Sequence, residues 1–343
     1  MAFLNRRRLL FWLIVLAAIW LLWSRMAELD LLLTTLRAGQ PWWILSALVL
    51  QLLYQILFAG IYWSAFDIVD VRTHLLDLIP LTFASLFVNS TVVSGGAAGA
   101  VLFVDDARRR GEPVARATAG TLLVLAADYT AFAVLLTVGV GVLIRQRDLT
   151  RLEGISAAAM YLLLLGILGL LGAGLWAPAT LHSVLGTVQQ VGLWVGRLLH
   201  HPQIFHNEWA EHHAREFAAA ATSMSQQPQR LARTVAIALL AHVVGLVSLY
   251  LLFWAFQQRA TLGMVIVLYA MTILFMIISP TPNGIGVVES VMPIIYTSVN
   301  IPLEAGTIIN LAFRSIGFWL PFLIGLMLMR RLRLLTEQHD PLH

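Results

Sequence analysis

Three residues near the C-terminal end of the chain have the types and spacing to do chemistry: Glu289, Asn310 and Arg314. Arg314 falls 11 residues beyond Leu303 in an apolar run. At 1.5 Å per helical residue that is roughly 16 Å, near the middle of a ~30 Å hydrocarbon core. A cation at that depth costs at least about 2.5 kcal/mol on insertion scales, so it faces protein and needs a partner. Asn310 stands one helical turn earlier on the same face, placed to orient the guanidinium. Two roles fit Arg314: a site for an anionic group such as a lipid phosphate, or one half of a structural ion pair. Asp128, about 12 residues into its own apolar segment, is a candidate for the other half.

Glu289 follows a break in the apolar pattern at residues 279–286. Pro280 and Pro282 end the incoming segment, because proline lacks an N–H donor and disfavours helix before it. Asn283, Gly284 and Gly286 permit positive φ and close backbone approach. The helix that follows starts with unpaired amide N–H groups, which bind anions. Glu289 in its first turns suits the helix dipole. It is a candidate counter-charge to Arg314, a proton carrier, or a simple cap.

A second break covers residues 89–99, with Ser94, Gly95, Gly96 and Gly99. Its small residues allow helices to pack closely, and no acid stands where Glu289 stands in the other break. The two breaks occupy matching places in the two halves of the chain. Non-helical backbone at membrane depth is tolerated only inside protein or beside a water-filled cavity. Interrupted segments at corresponding positions point to a transporter's binding site.

The elements that must position these residues are membrane helices. The chain has 343 residues, of which 59% are hydrophobic and only 12% charged. A soluble domain carries about 25% charged residues, so this is an all-helical polytopic membrane protein. Cysteine is absent, and all 22 basic side chains are arginine. That excludes thiolate chemistry, a lysine nucleophile and a Walker A loop. There is no Gly-x-Ser-x-Gly elbow either. The expectation is a non-enzyme without cofactor or metal, and the clustered arginines speak for topology rather than nucleic-acid binding.

Apolar segments fall near residues 9–24, 42–66, 75–94, 97–104, 115–144, 155–176, 231–256, 262–279, 284–299 and 303–329. If 75–104 and 262–299 are re-entrant hairpins, six full crossings remain; if every segment spans, there are up to about eight to ten. Residues 6–24 read as a retained first helix rather than a cleaved leader. With both termini in the cytoplasm, 15 arginines fall inside and 6 outside, and Arg314 stays in the membrane. That arrangement gives the hairpins opposite orientations, the sign of an inverted repeat. The units are 66–144 and 257–329 within one membrane domain covering 1–343. A polar stretch at 177–230 joins them and reads as a cytoplasmic amphipathic connector. Asp105 and Asp106 with Arg108–Arg110 read as a solvated charge cluster at the interface. His200, His201, His206, His212 and His213 lie in the connector without a metal-binding pattern.

One stretch is recognisable. The run Pro282, Asn283, Gly284, Ile285, Gly286, Val287, Val288 and Glu289 is followed by Ile301 and Pro302, Phe313 and Arg314, then Phe318 through Pro321 and Gly325. It resembles the signature of the lysylphosphatidylglycerol synthase transmembrane region, the flippase-like or UPF0104 family of bacterial and archaeal membrane proteins. The resemblance implies translocation of a lipid or lipid-linked substrate, with Glu289 and Arg314 as the charged positions. The first half departs from the family pattern. Ala100 follows Gly99 where family members often carry Glu, and Val124 and Leu125 replace an acidic–basic pair. No synthetase domain accompanies the membrane segments in this chain, so it is not expected to aminoacylate a lipid. The reading that follows is an inner-membrane translocase for an anionic phospholipid or lipid-linked substrate. Its rival is a non-transporting scaffold that binds lipid or a lipid-modifying enzyme.

Overall fold

The computed structural model describes residues 39–91, 97–146, 151–176, 222–223, 225–279, 281–319, 321–322, 324–325 and 327. Gly95, Gly96, Pro280, the N-terminal arginines and first apolar segment, and nearly all of the connector with its histidines lie outside the described residues. Among the described residues every regular element is helical. They are α1 (Pro41–Ile68), α2 (Leu75–Thr91), α3 (Ala97–Arg109), α4 (Val114–Gln146), α5 (Arg151–Trp176), α6 (Pro228–Ala255), α7 (Leu262–Ile278), α8 (Val287–Ser298) and α9 (Leu303–Arg314). A single 3-10 turn, Pro282–Gly284, separates α7 from α8, and a π-helical turn, Ser315–Trp319, follows α9. The chain is an all-helical polytopic membrane protein, and α1, α4 and α6 are long and apolar enough to cross a bilayer.

The backbone of the fold is the pair α1 and α6. Each has 28 residues and starts with proline in its first turn, where the missing N–H costs nothing. Each ends the same way. Asp70 and Gln257 adopt positive φ of 54° and 55°. The Val71 and Gln258 N–H groups then donate back to the Phe66 and Phe253 carbonyls at 2.9 and 2.8 Å, a Schellman-type stop. The pair runs antiparallel. At one end the Gln40 N–H donates to the Ala255 carbonyl at 2.9 Å. At the other, Ser64 and Thr234 share a hydroxyl hydrogen bond of 2.8 Å, and Arg233 reaches Asp67 at 2.8 Å while lying over the Trp63 ring.

One face of α1 shows Leu45, Val49, Leu53 and Ile56 exposed, and the other buries Ala47, Gln51, Gln55 and Ala59. In water so apolar a stripe would drive aggregation; against lipid tails it is the outer surface. The buried side packs into two clusters. One joins Leu136 of α4 and Phe253 of α6 to Met271 of α7 and Tyr296 of α8. The other joins Ile61 and Phe66 of α1, Leu78 of α2 and Phe103 of α3.

α2 with α3, and α7 with α8, occupy the positions of the two sequence-predicted hairpins. Their lengths correspond: 17 and 13 residues in the first, 17 and 12 in the second. A helix of 12 or 13 residues rises only ~18–20 Å, too short to cross a ~30 Å core alone. α3 lies tight against α2 at Gly99. Its N–H donates to the Asn89 Oδ1 at 2.6 Å, and a Cβ there would sit 2.6 Å from the Ser85 carbonyl oxygen. A Gly99→Leu variant must therefore push α2 and α3 apart. We expect a loss of about 1–3 kcal/mol, as for overpacked cores, read as a lower thermal midpoint in detergent; an unchanged midpoint contradicts this packing. The interfacial acids are helical rather than loop residues: Asp105–Arg109 and Asp106–Arg110 are one-turn ion pairs at 2.8 Å closing α3.

Candidate functional site

The break between α7 and α8 is built by backbone conformations that few residues tolerate. Asn283, Gly284 and Gly286 have φ of 50°, 71° and 83°. Asparagine and glycine are the residues that enter this left-handed region at low cost. The turn is closed by the Gly284 N–H to the Thr281 carbonyl at 3.2 Å and the Ile285 N–H to the Pro282 carbonyl at 3.1 Å. The chain then enters α8, and Glu289 folds back so that its Oε2 accepts from the Gly286 N–H at 2.7 Å. One of the helix-end amides that the sequence offered to an anion, that of Gly286, is thus taken by the chain's own carboxylate.

Arg314, at the end of α9, reaches across to this break. Its Nε donates to Glu289 Oε1 at 3.0 Å, and its Nη2 donates to the Asn283 carbonyl at 3.0 Å. The guanidinium carbon lies 5.9 Å from the centre of the Phe318 ring. Arg314 is 7% exposed and Glu289 25%. Burial makes the carboxylate obligatory, since an unpaired cation there would keep its full desolvation cost. The π-helical turn begins one residue after Arg314. Such turns shift helix register and often accompany functional sites; here the turn carries Phe318 under the guanidinium.

Two N–H groups of Arg314 are thus satisfied. Guanidinium carries five, and among the described residues no further acceptor is found for them. The side chain lines a largely apolar cavity of about 140 Å³, whose polar wall groups are Asn283, Gln51, Tyr54, Gln55 and Tyr269 beside Leu86, Ile273, Met276 and Phe313. Gln51 and Gln55, 7% and 4% exposed, place two side-chain amides in the cavity wall.

The structure separates the predicted site residues into groups. Arg314, Glu289 and Asn283 come together, with Pro282, Gly284 and Gly286 forming the turn that holds them. Asn310 is buried at 3% exposure but makes no hydrogen bond to Arg314, and its Oδ1 has no partner among the described residues. Orientation of the guanidinium comes from Glu289 and the Asn283 carbonyl instead. Asp128 does not pair with Arg314. Its Oδ1 lies 3.2 Å from His242 Nε2 on α6, and His242 Nδ1 lies 3.1 Å from the Tyr269 hydroxyl. Gly99 acts in helix packing on the other hairpin. Among the described residues no three metal-binding side chains gather.

Sequence reasoning missed Gln51, Tyr54, Gln55, His242 and Tyr269. A signal for most of them was present. Gln51 and Gln55 are a one-turn polar pair in an otherwise apolar span, and His242 is an ionisable residue deep in another.

A helical membrane protein with a buried arginine–carboxylate site at a broken helix is the class defined by this geometry. The model of the lysylphosphatidylglycerol synthase transmembrane region matches residues 9–325, so the chain belongs to that family. A UPF0104 membrane protein of Pyrococcus horikoshii is 25% identical over 111 residues, 32% of this chain and 33% of the relative. A second UPF0104 membrane protein, of Methanocaldococcus jannaschii, is 26% identical over 89 residues, 26% of each chain. The matched region thus spans about a third and a quarter of these curated relatives. Membership places the chain among membrane proteins of lipid-related families with archaeal relatives.

Proposed function

We propose that the chain is a translocase, and not an enzyme, that carries an anionic phospholipid or lipid-linked substrate across a prokaryotic cell membrane. The observation that carries this reading is Arg314: a buried cation with free donors lining a largely apolar cavity at a break in a membrane helix. The cavity is smaller than the roughly 300–1,000 Å³ of drug-sized pockets. It suits a headgroup phosphate, with the acyl chains left in lipid. The phosphate meets the free edge of Arg314 and the Gln51 and Gln55 amides, while Glu289 holds the guanidinium in place between substrates.

Alternating access is supplied, in this reading, by an inverted repeat. α1 to α3 and α6 to α8 match in order and in length, and α1 runs antiparallel to α6. Substrate sites in such transporters lie where the repeats meet, and the cavity is lined by α1 from one half and α7 and α9 from the other. Both hairpins are re-entrant and both termini cytoplasmic on this account; the arginine distribution supports the cytoplasmic termini and is the same whether the hairpins re-enter or span.

Lipid retention tests the headgroup claim. Native mass spectra of the purified protein should show phosphatidylglycerol retained over phosphatidylcholine. A Gln51→Leu, Gln55→Leu variant should weaken that retention about tenfold, the loss of two hydrogen bonds at about 0.5–1.5 kcal/mol each. Equal retention of the two headgroups would sink the anion site, and a stoichiometric co-purifying enzyme without lipid exchange would favour the scaffold.

A further inference from the structure

The groups bordering the anion cavity continue away from it as a line of polar side chains in contact. Tyr269 lines the cavity. Its hydroxyl shares a hydrogen bond with His242 Nδ1 at 3.1 Å, and His242 Nε2 lies 3.2 Å from Asp128 Oδ1, an electrostatic contact without hydrogen-bond geometry. His242 is 1% exposed and Tyr269 also 1%. The elements around the imidazole contribute few other polar groups. α4 presents Asp128, with the apolar Phe132 ring 5.7 Å away; α7 presents Tyr269; α1 presents Tyr54, its ring 6.5 Å from the imidazole. α9 contributes Arg314 at the cavity wall, paired there with Glu289 on α8.

Resting on the anion-site reading above, we propose that Asp128, His242 and Tyr269 form a proton site coupled to the cavity, so that a proton and an anion bind together. The coupling follows from hydrogen-bond bookkeeping at the two ring nitrogens. A neutral imidazole has one donor nitrogen and one acceptor. The Asp128 carboxylate, 3.2 Å from Nε2, electrostatically favours the tautomer with the hydrogen on Nε2, which leaves Nδ1 as the acceptor that receives the Tyr269 hydroxyl. In that state Tyr269 turns its lone pairs, and no hydrogen, toward the cavity. When the imidazole takes a proton, Nδ1 becomes a donor. The Tyr269 oxygen must then accept from it, and its own hydrogen swings toward the cavity. Protonation converts the tyrosine from an obstacle to an anion into a donor for it, and adds a positive charge nearby. Linkage is reciprocal, so an anion in the cavity raises the proton affinity of His242 by the same factor. Histidine is the side chain that ordinarily exchanges a proton near neutral pH, which gives the translocase a coupling ion.

The test measures proton uptake on anion binding and requires no transport. Dihexanoyl phosphatidylglycerol is titrated calorimetrically into the detergent-solubilised chain in two buffers of different ionisation enthalpy. Its phosphodiester has no proton to exchange near neutral pH, so the difference between buffers counts protons taken up by the protein. The wild type should take up a proton per anion, and its affinity should fall with rising pH. His242→Gln should bind the anion with no proton uptake. Tyr269→Phe, which keeps the ring and removes only the hydroxyl, should bind with reduced uptake and serves if the glutamine variant does not fold. Uptake persisting in both variants, or wild-type affinity independent of pH, overturns the relay while leaving the anion site standing. Absence of any binding heat in the wild type overturns both.

Discussion

Arg314→Ala is expected to reduce leaflet exchange of an anionic phospholipid about a hundredfold. The arginine offers the phosphate its free guanidinium edge, and two charge-assisted hydrogen bonds at about 1.5 kcal/mol each amount to about 3 kcal/mol, or roughly two orders of magnitude. Arg314→Lys is expected to rescue little. The site uses one edge of a planar fork to grip Glu289 and the Asn283 carbonyl and leaves the other for the ligand. An ammonium has no second edge. Exchange should be followed with fluorescent phosphatidylglycerol, and full activity in the lysine variant would show that charge alone suffices.

The second large effect concerns stability. Glu289→Gln removes the counter-charge of a side chain only 7% exposed. Breaking a buried pair from one side costs about 3–5 kcal/mol. Glu289 is itself 25% exposed, so the lower end, about 3 kcal/mol, is expected. The sharper result is in the double variant. Arg314→Gln combined with Glu289→Gln removes both charges, and its thermal midpoint in detergent should recover most of what either single change loses, while lipid exchange stays absent. That separates the pair's structural part from its part in binding. A double variant less stable than both singles would mean that the two side chains do not act as a pair.

How much of this was legible beforehand differs between fold and site. Helix positions follow from apolar runs, and the boundaries of α1, α4 and α6 lie within a few residues of the sequence-predicted segments. Glycine, proline and asparagine marked the break at 282–286 because only such residues accept its backbone angles. The pairing of Arg314 with Glu289 was one of two arrangements left open, and helix depth spoke for the other, with Asp128. Asp128 and Arg314 share a depth, but depth does not fix azimuth, and α6 brings His242 between Asp128 and the cavity wall at Tyr269. The role of Asn310 failed for a related reason: spacing along a helix shows which side chains share a face, while the acceptors of a guanidinium come from the element opposite. Gln51 and Gln55 stood out only as a one-turn polar pair in an apolar span, and their place at the cavity appears once α1 is packed beside the break.

The central claim is that an anionic headgroup crosses the membrane through the Arg314 cavity. Its most direct test is exchange of fluorescent phosphatidylglycerol in proteoliposomes, with dithionite quenching the outer leaflet, for wild type beside Arg314→Ala. The account predicts that the wild type exposes nearly all of the probe to the quencher and that the variant protects the inner-leaflet half, as empty vesicles do. Equal exchange in wild type and variant, or wild-type vesicles no faster than empty ones, would contradict it.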